Sequence, residues 1–255
     1  EYTKRIDDFV YIYRSAGIGE NISQAGSDIV MGDLIIKKGT VIGPREIGVL
    51  AAVGYKEIPV YKKVKVGLIS TGNEIVEAGG ILTEGKVYDV NSHNIGAYLK
   101  NIGADVKFYG IFEDDFEKIK NAVKRAMDEN DVVITSGSTS AGFGDMIYKV
   151  FEEFGDPGIV VHGLKIKPGK PTVVAISNKK ILIGLPGFPL SSTIAYFVLV
   201  KKIIERMTGI MTDFSTIKAK LSIRYNSNRM VEEYVPVTIF TGKKGYRVYP
   251  IVAPS

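Results

Sequence analysis

The chain has 255 residues, 45% of them apolar and 24% charged, ordinary figures for a folded protein with a real core and enough length for one large domain or two to three smaller ones. Its formal charge of +5 favours anionic ligands, yet no basic run is dense enough to argue for nucleic acid. The lack of cysteine excludes disulfides and thiolate metal sites, and the only two histidines, His93 and His162, leave almost no room for a His-cluster zinc site; no apolar run has bilayer-spanning length and no signal peptide is visible, so no membrane association and a cytoplasmic location are expected.

Residues 19–43, GENISQAGSDIVMGDLIIKKGTVIG, alternate short apolar pieces with turns rich in Gly and Asp, which predicts small antiparallel strands. PREIGVLAAVG then reads as a short helix, with Pro44 at its first position and Gly54 just past its end. Together these make a small β-rich module over 1–62. From Lys63 the pattern changes to an alternation of strands and helices. KVKVGLIST is a strand; NSHNIGAYLKNIG is a helix with Asn91 as its expected N-cap. ADVKFYGIF is a strand, followed by DDFEKIKNAVKRAMDEN, a helix with acidic residues where the macrodipole favours them. DVVITSG is a strand before the helix DMIYKVFEEFG, for which Asp145 is the cheapest N-cap. GIVVHGLKI, PTVVAIS and KILIGL are further strands, and PLSSTIAYFVLVKKIIERMTG is a long helix stopped by Gly209. This predicts an α/β domain over 63–211, a three-layer, mostly parallel sheet with helices on both faces. Residues 212–255 return to alternating strands, a C-terminal β segment.

In an open α/β sheet, ligands bind where the carboxyl ends of strands turn into helices. At those ends lie TGNE (71–74), DVN (89–91), EDD (113–115), SGSTSAGFGD (136–145), KPGKP (167–171) and LPGFPLSS (185–192). Taken singly each has a bland reading. Asp89 can cap a turn, Asp114 and Asp115 can open a helix, Lys167 and Lys170 can be solvated, and both histidines can be ordinary helix and strand residues. As a set on one edge they offer carboxylates for a divalent cation, two lysines for an oxyanion and helix N-termini for phosphate. The Gly/Ser loop at 136–145 is either a tight turn or an anion nest. Near-motifs fail on spacing: GLKIKPGKP is not a P-loop, and SGSTSAG does not fit G-x-S-x-G and has no convincing His partner.

Taken together, these stretches resemble the molybdopterin molybdenumtransferase family, the MoeA proteins and the C-terminal part of gephyrin. That family places a TGDE-like turn, a D-[ST]-N turn, an SGG-x-S-x-G-x-x-D loop, KPGKP and LPGNP-x-S in this order, and the likeness covers nearly the whole chain. The resemblance implies a MogA-like molybdopterin-binding domain flanked by small β-rich segments, with an N-terminal part and the end of the C-terminal domain lying outside this sequence. It implies insertion of molybdate or tungstate into adenylylated molybdopterin with release of AMP, with Mg²⁺ assisting. It carries catalytic roles to Asp89, Asp145, Lys167 and Lys170, and the metal to Asn73, Glu74 and Asp89. Substrate contacts carry over to Thr71, Gly72, Asn91, Ser136, Gly137, Ser138, Ser140, Gly142, Pro168, Gly169, Pro186, Gly187 and Ser191. A homodimer and contact with molybdopterin adenylyltransferase are implied as well. Three positions depart from the pattern: Asn73 for Asp, which should lower cation affinity, Ser138 for Gly, and Phe188 for Asn. Asn73 and Phe188 favour a weakened cofactor-binding or scaffold relative; molybdopterin adenylyltransferase, which shares the central fold, is the other alternative.

Overall fold

In the computed structural model, residues 2–137, 145–210, 215–227, 230–243 and 245–251 are described, Asp145 by its backbone alone. The chain divides into two units, Glu1–Ile58 and Pro59–Ser255.

In the first unit, strands β1 (Thr3–Ile6) and β2 (Phe9–Ile12) form an antiparallel hairpin. Helix α1 (Pro44–Ala52) starts on Pro44 as expected, and the Glu46 side chain accepts a hydrogen bond from the Gly43 N–H at 3.0 Å. The strands expected within 19–43 do not form. Hydrogen-bonded turns recur there instead, among them Ile22 N–H to Gly19 C=O, Ser27 to Gln24, Asp33 to Val30 and Thr40 to Lys37. With a turn every few residues, the apolar pieces are too short to carry a ladder.

The second unit carries the expected alternation. Its elements are β3 (Lys65–Thr71), β4 (Ile75–Val76), β5 (Val87–Tyr88), α2 (Asn91–Asn101), β6 (Asp105–Phe112), α3 (Phe116–Glu129), β7 (Val132–Ser136) and α4 (Asp145–Glu152). There follow β8 (Pro157–His162), β9 (Ile166–Lys167), β10 (Val173–Ser177), β11 (Lys180–Leu185), α5 (Pro189–Ala195), a π-helical turn (Tyr196–Val200) and α6 (Lys201–Thr208). The last strands are β12 (Ala219–Leu221), β13 (Glu232–Glu233), β14 (Val237–Gly242) and β15 (Gly245–Pro250).

The main sheet has the order β6-β3-β7-β11-β10-β8. All neighbours pair in parallel except those of β10, which runs against both β11 and β8. Each central strand divides its side chains between two cores. Val66, Leu68, Val132, Ile134, Ile183 and Leu185 face Ile95, Leu99, Tyr196 and Ile204 of α2 and the long helix. Ile69, Val133 and Leu182 face Ile119, Val123, Ile147 and Phe151 of α3 and α4. The three-layer α/β sandwich is therefore present. Gly209, in the left-handed conformation with φ 72°, ends α6 as expected.

Two features mark a candidate ligand site. The chain passes from β3 to β6 on one side and returns to β7 on the other, a topological switch point at the carboxyl ends of β3 and β7. The run GIVVHGLKI, expected as one strand, is split. Only 157–162 joins the main sheet, while β9 pairs in parallel with β13, drawn from the C-terminal segment. The 167–171 turn thus stands between β8 and β10, on the same edge as the carboxyl end of β11.

Candidate functional site

The candidate site is floored where β3, β7 and β11 end together. Ser70 is in register with Ser136, and the Gly137 N–H donates to the Leu185 carbonyl at 3.2 Å. Gly137 has φ 112°, and a Cβ there would stand 1.9 Å from the Thr71 carbonyl oxygen. Only glycine admits this approach. The Thr71 hydroxyl reaches the Ser136 carbonyl at 3.4 Å.

Above this floor lie two polar groupings. Asp89, 5% exposed, accepts from the Ser70 hydroxyl at 2.6 Å and from the Ser92 N–H at 3.1 Å. Asn91 Nδ2 donates to Ser136 Oγ and to the Gly187 carbonyl, both at 2.7 Å. The expectation that Asn91 is an N-cap is corrected: α2 begins at Asn91 itself, and Asp89 satisfies the Ser92 N–H instead. Freed from capping, the Asn91 amide ties three strand-end loops together. Its Oδ1 is buried with no partner among the described residues. A cavity of about 10 Å³, lined in part by Ser70, Asn91, Ser92 and Ser136, lies here, about the room one water needs.

The 71–74 turn leans the other way, toward β6. Gly72 N–H donates to the Phe112 carbonyl at 3.0 Å, and Asn73 Oδ1 accepts from the Asp114 N–H at 3.0 Å. Glu74 is exposed. Asp115 caps α3 through the Lys118 N–H at 3.0 Å, its bland reading. Among the described residues, no three His, Asp or Glu side chains gather into a metal cage. Mg²⁺ asks for less, since it keeps several waters and binds through one or two carboxylates plus substrate phosphates. Asp89 fits that demand, having one donor on each oxygen and lone pairs left over. Asn73 fits it poorly, because its oxygen is already engaged.

The opposite wall is the 167–171 turn, which contains a cis Lys167–Pro168 bond. Buried Gly169 has φ 112°, and a Cβ on it would meet Ile166 Cδ1 at 2.8 Å and the Ser191 carbonyl at 3.4 Å. This packing seats the turn against the first turn of α5 and brings the KPGKP and LPGFPLS stretches together. The Thr172 hydroxyl and the Leu164 N–H close the turn on the Gly169 and Lys170 carbonyls, both at 2.8 Å. Lys170 is exposed, and its ammonium has no partner among the described residues. Lys167 lies 3.3 Å from Glu233 Oε1. The Tyr225 hydroxyl donates to that same oxygen at 2.9 Å, a bond that holds its pKa above the usual tyrosine value. Glu233 escaped sequence reasoning: it lies far along the chain in a two-residue strand, and nothing local marks it.

Pro186 is buried, Ser191 half-buried, and Phe188 exposed at the start of α5 without a side-chain cap. His162 stacks on Tyr148 with ring centroids 4.2 Å apart, and His93 stands 3.9 Å from Glu77. Ser138, Ser140 and Gly142 lie outside the described residues, as does the Asp145 side chain; the Asp145 backbone opens α4 rather than preceding it. Among the described residues, no helix is long and apolar enough to cross a membrane.

A family model described as a probable molybdopterin binding domain matches residues 67–206, and one described as the MoeA N-terminal region (domain I and II) matches residues 1–54. A Methanocaldococcus jannaschii protein assigned provisionally to molybdopterin biosynthesis is 36% identical over 215 residues, covering 81% of this chain and 53% of that protein. A Staphylococcus aureus molybdopterin molybdenumtransferase is 33% identical over 222 residues, covering 87% of this chain and 53% of the relative. The crystal structure of a molybdopterin biosynthesis MoeA protein from Pyrococcus horikosii superposes with a TM-score of 0.81 at 32% identity, covering 99% of this chain and 61% of that one. The chain spans about half the length of the curated relatives it matches.

Proposed function

The chain belongs to the MoeA family of molybdenum cofactor biosynthesis proteins, and from that premise we propose that it is a molybdopterin molybdenumtransferase, which inserts molybdate or tungstate into adenylylated molybdopterin and releases AMP. The observation that carries this reading is the seating of the KPGKP turn against α5, on the edge where β3, β7 and β11 end. A doubly charged oxyanion and a pyrophosphate need N–H donors and cations around them. Lys167 and Lys170 supply the cations, and the strand-end loops supply backbone donors.

The substrate lies along the floor, its dithiolene turned toward the lysines. Each sulfur that bonds to the molybdenum displaces an oxo group, which leaves as water; of the four protons that the two waters need, two come from the thiols and two from solvent. Water then cleaves the phosphoanhydride, which frees AMP and leaves the phosphate monoester on the pterin. Thr71, Gly72, Ser136, Gly137, Pro168, Gly169, Pro186, Gly187 and Ser191 shape the cleft wall; Ser138, Ser140, Gly142 and Asp145 belong to it by the family pattern. Bound Mg²⁺ would be held by Asp89, with Glu74 as a second carboxylate, and would neutralise charge on the leaving phosphate. The working unit is a homodimer, supplied with substrate by a molybdopterin adenylyltransferase.

The test is AMP release by the purified full-length protein given adenylylated molybdopterin, Mg²⁺ and molybdate. Release that falls at least tenfold in Lys170→Ala is expected. Tight substrate binding without release would overturn the transferase reading and favour a cofactor-binding relative. Formation of the adenylylated intermediate from ATP and molybdopterin would make the chain an adenylyltransferase instead.

A further inference from the structure

The two lysines of the KPGKP turn are unequal. Lys170 has no side-chain partner among the described residues, whereas Lys167 faces a carboxylate that comes from the C-terminal segment. That carboxylate is no solvated surface acid: the Glu233 side chain is 8% exposed and the Lys167 side chain 56%. Its position is fixed by backbone. Residues 232 and 233 pair in parallel with 166 and 167, the Glu232 N–H donates to the Lys165 carbonyl at 2.9 Å, and the Tyr234 N–H donates to the Lys167 carbonyl at 2.8 Å. The Tyr225 hydroxyl donates to the same carboxylate oxygen and steadies it. A negative charge is thus built in at the place where a ligand oxyanion would seek the same ammonium.

We propose that Glu233 is an internal counter-anion of the oxyanion turn: it holds Lys167 when no ligand is bound, and an incoming oxyanion must take that ammonium from it. The inference rests on reading the turn as the oxyanion site. It gives the C-terminal strand a regulatory part in the chemistry of the cleft, because the pairing of β13 with β9 decides whether Glu233 faces Lys167. The device lowers affinity for anions in general, so that abundant sulfate and phosphate do not fill the site, and it gives the ammonium a place to return to when product leaves.

The experiment titrates inorganic molybdate, and sulfate in parallel, into full-length wild type, Glu233→Gln, Lys170→Ala and the double variant Glu233→Gln/Lys167→Ala. Gln keeps the size of the side chain and an acceptor for Tyr225; it removes the charge and exchanges one oxygen for an amide NH2. Glu233→Gln is expected to bind both anions roughly three- to tenfold more tightly, and the double variant is expected to lose that gain. Unchanged or weaker binding in Glu233→Gln, at an unaltered unfolding temperature, overturns the proposal. If that variant does not fold, the wild type labelled with ¹³C at glutamate carboxyls decides. The Glu233 resonance must move with the same midpoint as molybdate binding, and a resonance that stays still overturns the proposal. Failure of the underlying reading has a different signature: Lys170→Ala would then bind molybdate as wild type does.

Discussion

On one side of the candidate site, short, largely buried hydrogen bonds join Ser70 to Asp89 and join Asn91 to Ser136 and Gly187, none of them involving a cationic side chain. On the other, Lys167 and Lys170 stand exposed on a turn steadied by residues 232–234. The first side offers one buried carboxylate, Asp89, no cation and no slack; the second offers exposed cations. Buried networks mainly contribute stability and shape, because a partner removed there leaves a desolvated group unsatisfied. Exposed cations contribute little to stability and much to an anion that arrives. The two walls should therefore be separable by mutation.

The largest expected effect is on the floor. In Gly137→Ala, the added methyl would stand 1.9 Å from the Thr71 carbonyl, so the ends of β3 and β7 must part. A loss of about 4 kcal/mol or more, or failure to fold, is expected in urea unfolding. A variant as stable as wild type would refute the close approach on which the scaffold wall depends. Next is Asn91→Ala, which strips donors from Ser136 and the Gly187 carbonyl. It should cost about 1–3 kcal/mol of stability yet leave molybdate affinity within about twofold for molecules that remain folded. A large affinity loss at unchanged stability would place Asn91 on the ligand and not behind the loops. The third is Lys170→Ala, with the opposite signature: stability within about 0.5 kcal/mol, and molybdate affinity down on the order of tenfold by calorimetry.

Legibility in the sequence follows the same divide between local and distant causes. The helices α2, α3 and α6 could be read because their period and stops are local: Asp115 caps α3, and Gly209 ends α6. The central strands could be read because they are buried on both faces. The reversal of β10 was less visible, although Asn178 and Lys179, both at positive φ between β10 and β11, are the mark of a two-residue hairpin. The pairing of β9 with β13, and with it the Glu233–Lys167 contact, depends on which distant segment lands beside the turn, and no local pattern carries that. The 19–43 segment misled for a related reason: its short apolar pieces suggest strands, but a strand needs a partner, and none pairs with them among the described residues. At the candidate site, the family order of motifs pointed to loops that the sheet does bring to one edge. What each side chain does inside its loop, such as Asn91 tying three of them, required the packing.

The smallest expected effect is also the most discriminating. Asn73 stands where the family has Asp, and as a metal ligand it should gain cation affinity when changed to Asp. Its Oδ1, however, accepts the Asp114 N–H at 3.0 Å and so links the end of β3 to the start of α3. A carboxylate would keep that bond as a charge-assisted one while adding a negative charge to an already acidic turn with Glu113 and Asp115 nearby in sequence. These opposing terms leave Asn73→Asp within about 0.5 kcal/mol of wild type in stability. Its Mn²⁺ affinity, read by electron paramagnetic resonance with Mn²⁺ in place of Mg²⁺, should lie within about twofold of wild type. Asp89→Asn should lose Mn²⁺ binding in the same assay, since the buried carboxylate beside Ser70 is then neutral. Were Asn73→Asp to tighten Mn²⁺ strongly while Asp89→Asn left it alone, the cation would sit on the 71–74 turn without Asp89, and the scaffold wall would carry no chemistry of its own.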